Sequence, residues 1–119
     1  MMEWHKLTNL SDIDELLSWS EEQPIIVFKH STRCSISSSA LDRIERKWKI
    51  EEAGYIRPYY LDLLQYRDLS NAIAEKFKIQ HESPQLLIIR HGKAVAHYNH
   101  YEINYQVILD YLNSLQKQS

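Results

Sequence analysis

Apolar positions along the chain switch between helical and strand spacing several times, and a capping or turn residue marks each switch. Ile13, Leu16 and Leu17 share one helical face behind Ser11-Asp12-Ile13-Asp14, which has the form of a capping box, and Gln23-Pro24 ends that first helix. Residues 25–29 are a short apolar, β-branched run between Pro24 and His30-Ser31-Thr32, as expected of a strand buried on both faces. From Cys34 onward Ile36, Ala40, Leu41, Ile44 and Trp48 recur every three or four residues. That spacing predicts a helix to about residue 50, with Asp42, Arg43, Glu45 and Arg46 turned outward.

Residues 56–62 read as a second strand, and Pro58 places it at an edge or leaves it paired on one side there, because proline donates no ladder hydrogen bond. Asp68 is placed to cap a helix carrying Leu69, Ile73 and Phe77. His81-Glu82-Ser83-Pro84 follows as a loop, and residues 85–90 and 93–98 as strands joined by a tight His91-Gly92 turn. Val107, Ile108, Tyr111, Leu112 and Leu115 mark a last amphipathic helix. The order α-β-α-β-α-β-β-α predicts an α/β domain spanning residues 1–119. Its centre is a four-stranded mixed sheet with helices on both faces and room for an extra N-terminal strand, the plan of a thioredoxin-like fold.

Composition narrows the function classes. A chain of 119 residues suits one core, and 44% apolar with 25% charged residues is ordinary for a globular domain. A formal charge of −2 with no Lys/Arg-rich cluster points away from nucleic acid and anionic lipid. The apolar runs are far below the roughly 20 residues of a spanning helix, and residues 1–6 lack the apolar region of a signal peptide. With a single cysteine no internal disulfide can form, so the expected compartment is the reducing cytoplasm.

That cysteine stands at a strand-to-helix turn on the carboxyl edge of the predicted sheet, where open α/β folds place ligands. Free N–H groups and the partial positive charge of a helix start favour a thiolate there. Lys29, His30 and Arg33 add positive potential if they face it. Three residues on, where a second cysteine would close an internal disulfide, stands Ser37, so a disulfide on Cys34 must be resolved by an outside thiol. Ser83-Pro84 precedes an apolar strand and is expected to face the cysteine turn.

From Leu61-Asp62 through Phe77-Lys78-Ile79 and Pro84 to the hairpin, the chain resembles the thioredoxin superfamily. More narrowly, Phe28-Lys29-His30-Ser31-Thr32-Arg33-Cys34-Ser35-Ile36-Ser37 resembles the YtxJ-type monothiol bacilliredoxins of the bacillithiol redox system. The resemblance implies removal of a low-molecular-weight thiol, bacillithiol or a similar one, from mixed disulfides on client proteins. Cys34 would be the nucleophile, supported by Lys29, His30, Arg33, Ser35, Ile36 and Ser37, with Thr32, Ser83 and Pro84 contacting substrate. It implies no bound cofactor; the small thiol is a co-substrate. Family members often carry proline after the cysteine, where this chain has Ser35.

His97 and His100, interleaved with Tyr98, Tyr101 and Tyr105, lack a recognised metal-ligand spacing and are read as packing and surface. The charges of residues 42–52 have both signs at helical spacing, as on a solvated face. The competing reading is a non-enzymatic thioredoxin-like module that binds a partner or senses stress, with Cys34 inert or merely oxidisable.

Overall fold

The computed structural model describes residues 2–118. Its elements are β1 (His5–Lys6), α1 (Leu10–Trp19), β2 (Ile25–His30), α2 (Ser35–Lys47), α3 (Ile50–Ala53), β3 (Arg57–Asp62), α4 (Arg67–Phe77), β4 (Gln85–Arg90), β5 (Lys93–Asn99), a 3-10 turn (His100–Glu102) and α5 (Tyr105–Gln118). The sheet runs β1-β3-β2-β4-β5; β1, β3 and β2 are parallel, and β4 lies antiparallel to both β2 and β5. The four expected strands are therefore joined by a fifth, the N-terminal one.

Strand alternation divides the core in two. Ile26, Phe28, Leu86 and Ile88 face α2 and α5, packing on Ala40, Ile44, Ile108 and Leu112. Ile25, Val27, Leu87 and Ile89 face α1 and α4, packing on Leu16, Leu69, Ile73 and Phe77. Pro58 lies opposite Ile26 of β2, while β1 reaches only Tyr59 and Tyr60, so β3 is paired on one side at the proline. His91 and Gly92 both adopt positive φ, which closes the tight hairpin between β4 and β5.

Several local expectations are corrected. The capping box of α1 is built by Asn9 and Asp12, two residues before the expected one. Asn9 Oδ1 accepts from the Asp12 N–H and Asp12 Oδ2 from the Asn9 N–H, each at 3.2 Å. Asp68 is in the first turn of α4 but does not cap it; Tyr66 holds the cap position without a side-chain bond. The helix expected from Cys34 to about residue 50 breaks at Trp48, which turns extended and packs edge-on against Tyr105 with ring centroids 5.8 Å apart. Tyr105 Oη accepts from the Lys49 N–H and donates to Glu52, so α5 holds the break open before α3 begins. Val107 is exposed, and Leu109 packs into the core in its place.

Candidate functional site

Cys34 occupies the N-cap position of α2 with extended backbone (φ −110°, ψ 120°), immediately beyond the carboxyl end of β2. Its N–H donates to Ser31 O at 3.1 Å and its carbonyl accepts the first helical bond from the Ser38 N–H at 3.0 Å. The backbone on both sides of the cysteine is thus fixed. The thiol is half-buried and caps none of the helical N–H groups, so it is held in place without being consumed by a local bond.

Ser37, one turn into the helix, is fully buried. Its Oγ accepts from the Ser31 N–H at 3.0 Å and shares a proton with His30 Nδ1 at 2.6 Å. One hydroxyl therefore ties the last residue of β2, the first residue of the loop and the first turn of α2 around the cysteine. His30 is wedged against the rings of Phe28 and Tyr60, with centroids 6.1 and 5.7 Å away. Burial pushes its ring below the usual histidine range, outweighing the opposing charges of Asp62 and Glu45. A neutral imidazole, not a cation, therefore underlies the loop near neutral pH. Thr32, Arg33, Ser35 and Ile36 are exposed around the turn, and the 38% exposure of Ile36 removes it from the core face that its spacing suggested.

Lys29 does not join this loop. Strand alternation sends it to the opposite face, where Nζ donates to the Ser70 carbonyl of α4 at 3.2 Å and lies 3.5 Å from His81 Nδ1. The positive potential expected at the thiol from Lys29 and His30 is thus turned to the other face in one case and neutral in the other.

Ser83-Pro84 does come to the same edge of the sheet. The antiparallel register that pairs Lys29 with Gln85 continues toward His30 and Pro84, one residue further on each strand. The Ser83-Pro84 peptide is cis. Pro84 is buried, and its carbonyl accepts from the His100 N–H at 2.9 Å. Ser83 Oγ is buried with no hydrogen-bond partner among the described residues. The 3-10 turn also packs on α2, and its His100 Nε2 pairs with Glu82 at 3.4 Å, so three segments meet around the cysteine end of the sheet.

Ser31, Ser70, His81, Gln85 and His100 were not singled out from the sequence as site residues. The available signal was the polar pair Lys29-His30 closing an otherwise apolar strand, with Gln85 opening another. Among the described residues no group of three or more His, Cys, Asp or Glu is placed to hold a metal ion, and no helix is long and apolar enough to cross a membrane.

Solved structures place this geometry among known folds. A solved protein with a thioredoxin fold is 33% identical over 88% of this chain and 89% of its own, with a TM-score of 0.75. Thioredoxins from Fasciola hepatica (16% identity, 92% and 97% coverage, TM-score 0.69) and Trypanosoma brucei brucei (16%, 97% and 92%, 0.71) share the fold. The sequence model of the monothiol bacilliredoxin BrxC matches residues 5–108, a span that contains the cysteine loop, the Ser83-Pro84 turn and the whole sheet. A thioredoxin fold with its lone cysteine at the start of α2, matched by that model over most of its length, makes this chain a member of the monothiol bacilliredoxin family, with a thiol-redox function.

Proposed function

We propose that the protein removes a low-molecular-weight thiol, bacillithiol or a close analogue, from mixed disulfides on client proteins by monothiol exchange at Cys34. The observation that carries this reading is the half-buried thiol at the α2 N-cap, on a backbone fixed from both sides and free of a capping bond. A thiol so placed is accessible and feels the partial positive charge of the helix start.

The Cys34 thiolate attacks the small-thiol sulfur of the client's mixed disulfide. The client S–S bond breaks as the Cys34 S–S bond forms, and the client leaves as a thiolate that takes up a proton from solvent. A second small-thiol molecule, as its thiolate, then attacks the sulfur held on Cys34. That step yields a small-thiol disulfide and regenerates the Cys34 thiolate. One free thiol is consumed, one client thiol is released and one disulfide replaces another, so the exchange balances without an external oxidant or a bound cofactor. Ser37 cannot resolve the intermediate, since it offers a hydroxyl that is already committed to His30 and Ser31.

In this reading Thr32, Arg33, Ser35 and Ile36 frame one side of the entering disulfide and Ser83-Pro84 the other. The partners are thiolated proteins and the small thiol, and the working compartment is the reducing cytoplasm. Release of the small thiol from a bacillithiolated test protein should be fast with the wild-type chain and fall to the uncatalysed rate with Cys34→Ser. Equal release by the two proteins would refute the proposal in favour of a binding or sensing module.

A further inference from the structure

Position 29 breaks the rule that its own strand follows. Ile25 and Val27 precede it on the face packed against α1 and α4, and both are fully buried in apolar surroundings. Lys29 continues that row at 0% exposure, and none of the ion pairs among the described residues includes it. An ammonium buried without a carboxylate is costly, and an apolar side chain would fill the row at no such cost. Violations of this kind in an otherwise consistent core are expected where a site needs the group.

The contacts of Lys29 show what the group holds. Nζ bonds the Ser70 carbonyl and lies against His81 Nδ1, and Ser70 Oγ is 3.4 Å from that same nitrogen. Burial, with Lys29 and Arg67 nearby, keeps the His81 ring below the usual range against the pull of Glu82; the neutral ring has one accepting nitrogen, and the ammonium beside Nδ1, which can only donate, favours the tautomer in which Nδ1 accepts. Directly across β4 is Gln85, also at 0% exposure. Its Nε2 donates to Gln80 O at 3.0 Å and to Asn99 Oδ1 at 2.9 Å. A polar row therefore crosses the sheet from Lys29 through Gln85 to Asn99, and its bonds reach the segment before Pro84 and the strand end that leads into the 3-10 turn. His100, in the left-handed region at φ 52°, closes the frame by donating to Pro84 O.

We propose that Lys29 is a positioning residue for the client-receiving loop. Its buried ammonium fixes residues 80–84 from beneath, and through that loop it sets how an incoming mixed disulfide lies on Cys34. The proposal deepens the exchange reading and rests on it for the loop's role. The charge of Lys29 is turned away from the thiol, so its effect falls on substrate placement and not on the reactivity of Cys34.

The test compares the full-length wild type with Lys29→Met and His81→Ala in three measurements. With a bacillithiolated protein as substrate, both variants should lose about tenfold in kcat/KM, mainly through KM. The rate of Cys34 with iodoacetamide should stay within twofold, because a small reagent needs no loop. Amide hydrogen exchange at His100, whose N–H donates to Pro84 O, should quicken at least tenfold in Lys29→Met, and this reading decides the positioning role even if the wild type proves inactive in exchange. Unchanged amide protection would overturn the proposal, as would an iodoacetamide rate that falls in parallel with kcat/KM. If Lys29→Met fails to fold, Lys29→Gln, a shorter neutral side chain, carries the same three measurements.

Discussion

Lys29 and His30 are neighbours on one strand, both buried and both polar, yet they serve opposite faces of the sheet. His30 turns to the α2 side and, through Ser37, grips the loop that presents the cysteine. Lys29 turns to the α4 side and grips the segment that leads to Pro84. The two differ in how their burial is compensated. The imidazole is neutral, set at a tilt between the rings of Phe28 and Tyr60 and hydrogen-bonded at Nδ1. Among the described residues the ammonium meets only a carbonyl and a neighbouring imidazole, and burial pulls it from its ordinary 10.5 down to about 8. One side of the site is built for stability, and the other is maintained at its expense.

The largest expected effect breaks the stable side. Ser37→Ala leaves the buried His30 Nδ1 and the half-buried Ser31 N–H without their shared partner, at about 1–3 kcal/mol for a fully buried unsatisfied group and less for the Ser31 N–H. Urea unfolding should show a loss of about 2 kcal/mol or more, together with slower exchange at Cys34.

On the other side, Lys29→Met should raise stability at pH 7 by about 1–3 kcal/mol, since well-packed apolar replacements of buried charges are neutral to stabilising. The sign of its pH dependence follows from the lowered value. Between about 8 and 10.5 the unfolded chain holds the lysine proton that the folded chain has shed, so wild-type stability rises with pH across that window. The advantage of the methionine variant should therefore shrink between pH 7 and pH 10 in paired unfolding curves.

Asn9→Ala provides a control far from both grips. It removes the α1 cap at a cost of about 1 kcal/mol and should leave exchange at Cys34 unchanged. The smallest signal is spectroscopic: NMR titration should find both His30 and His81 titrating below the ordinary histidine value. For each, the unfolded chain takes up its proton first as pH falls, so stability is lost as acidity moves through the folded value.

The order of elements was legible because burial imposes period on sequence: residues 25–30 and 85–90 run apolar where both faces are covered, and α4 repeats at 69, 73 and 77. The place of Cys34 at the start of α2 followed from that order. What stayed hidden depended on tertiary contacts. Trp48 fits a helical face, but Tyr105, more than fifty residues away, pulls it out of the helix. Ile36 fits the same face, yet it lies in the first turn beside the cysteine, beyond the reach of the core. Asn9 does not stand out as the cap in the sequence because Ser11 offers the same chemistry two residues later.

The polar grip on the Pro84 loop was the least visible, because Lys29, Ser70, His81 and Gln85 come from four separate segments. Periodicity places each of them on its own element. It does not indicate which carbonyl or ring an ammonium will meet.

Acceptance of the small thiol by Cys34 can be read by intact-mass spectrometry of the protein mixed with a bacillithiolated client before any free thiol is added. The expected result is a mass increase of one small-thiol molecule, located on Cys34 and removed when free thiol is supplied. An unmodified Cys34 beside a client that remains thiolated would contradict it.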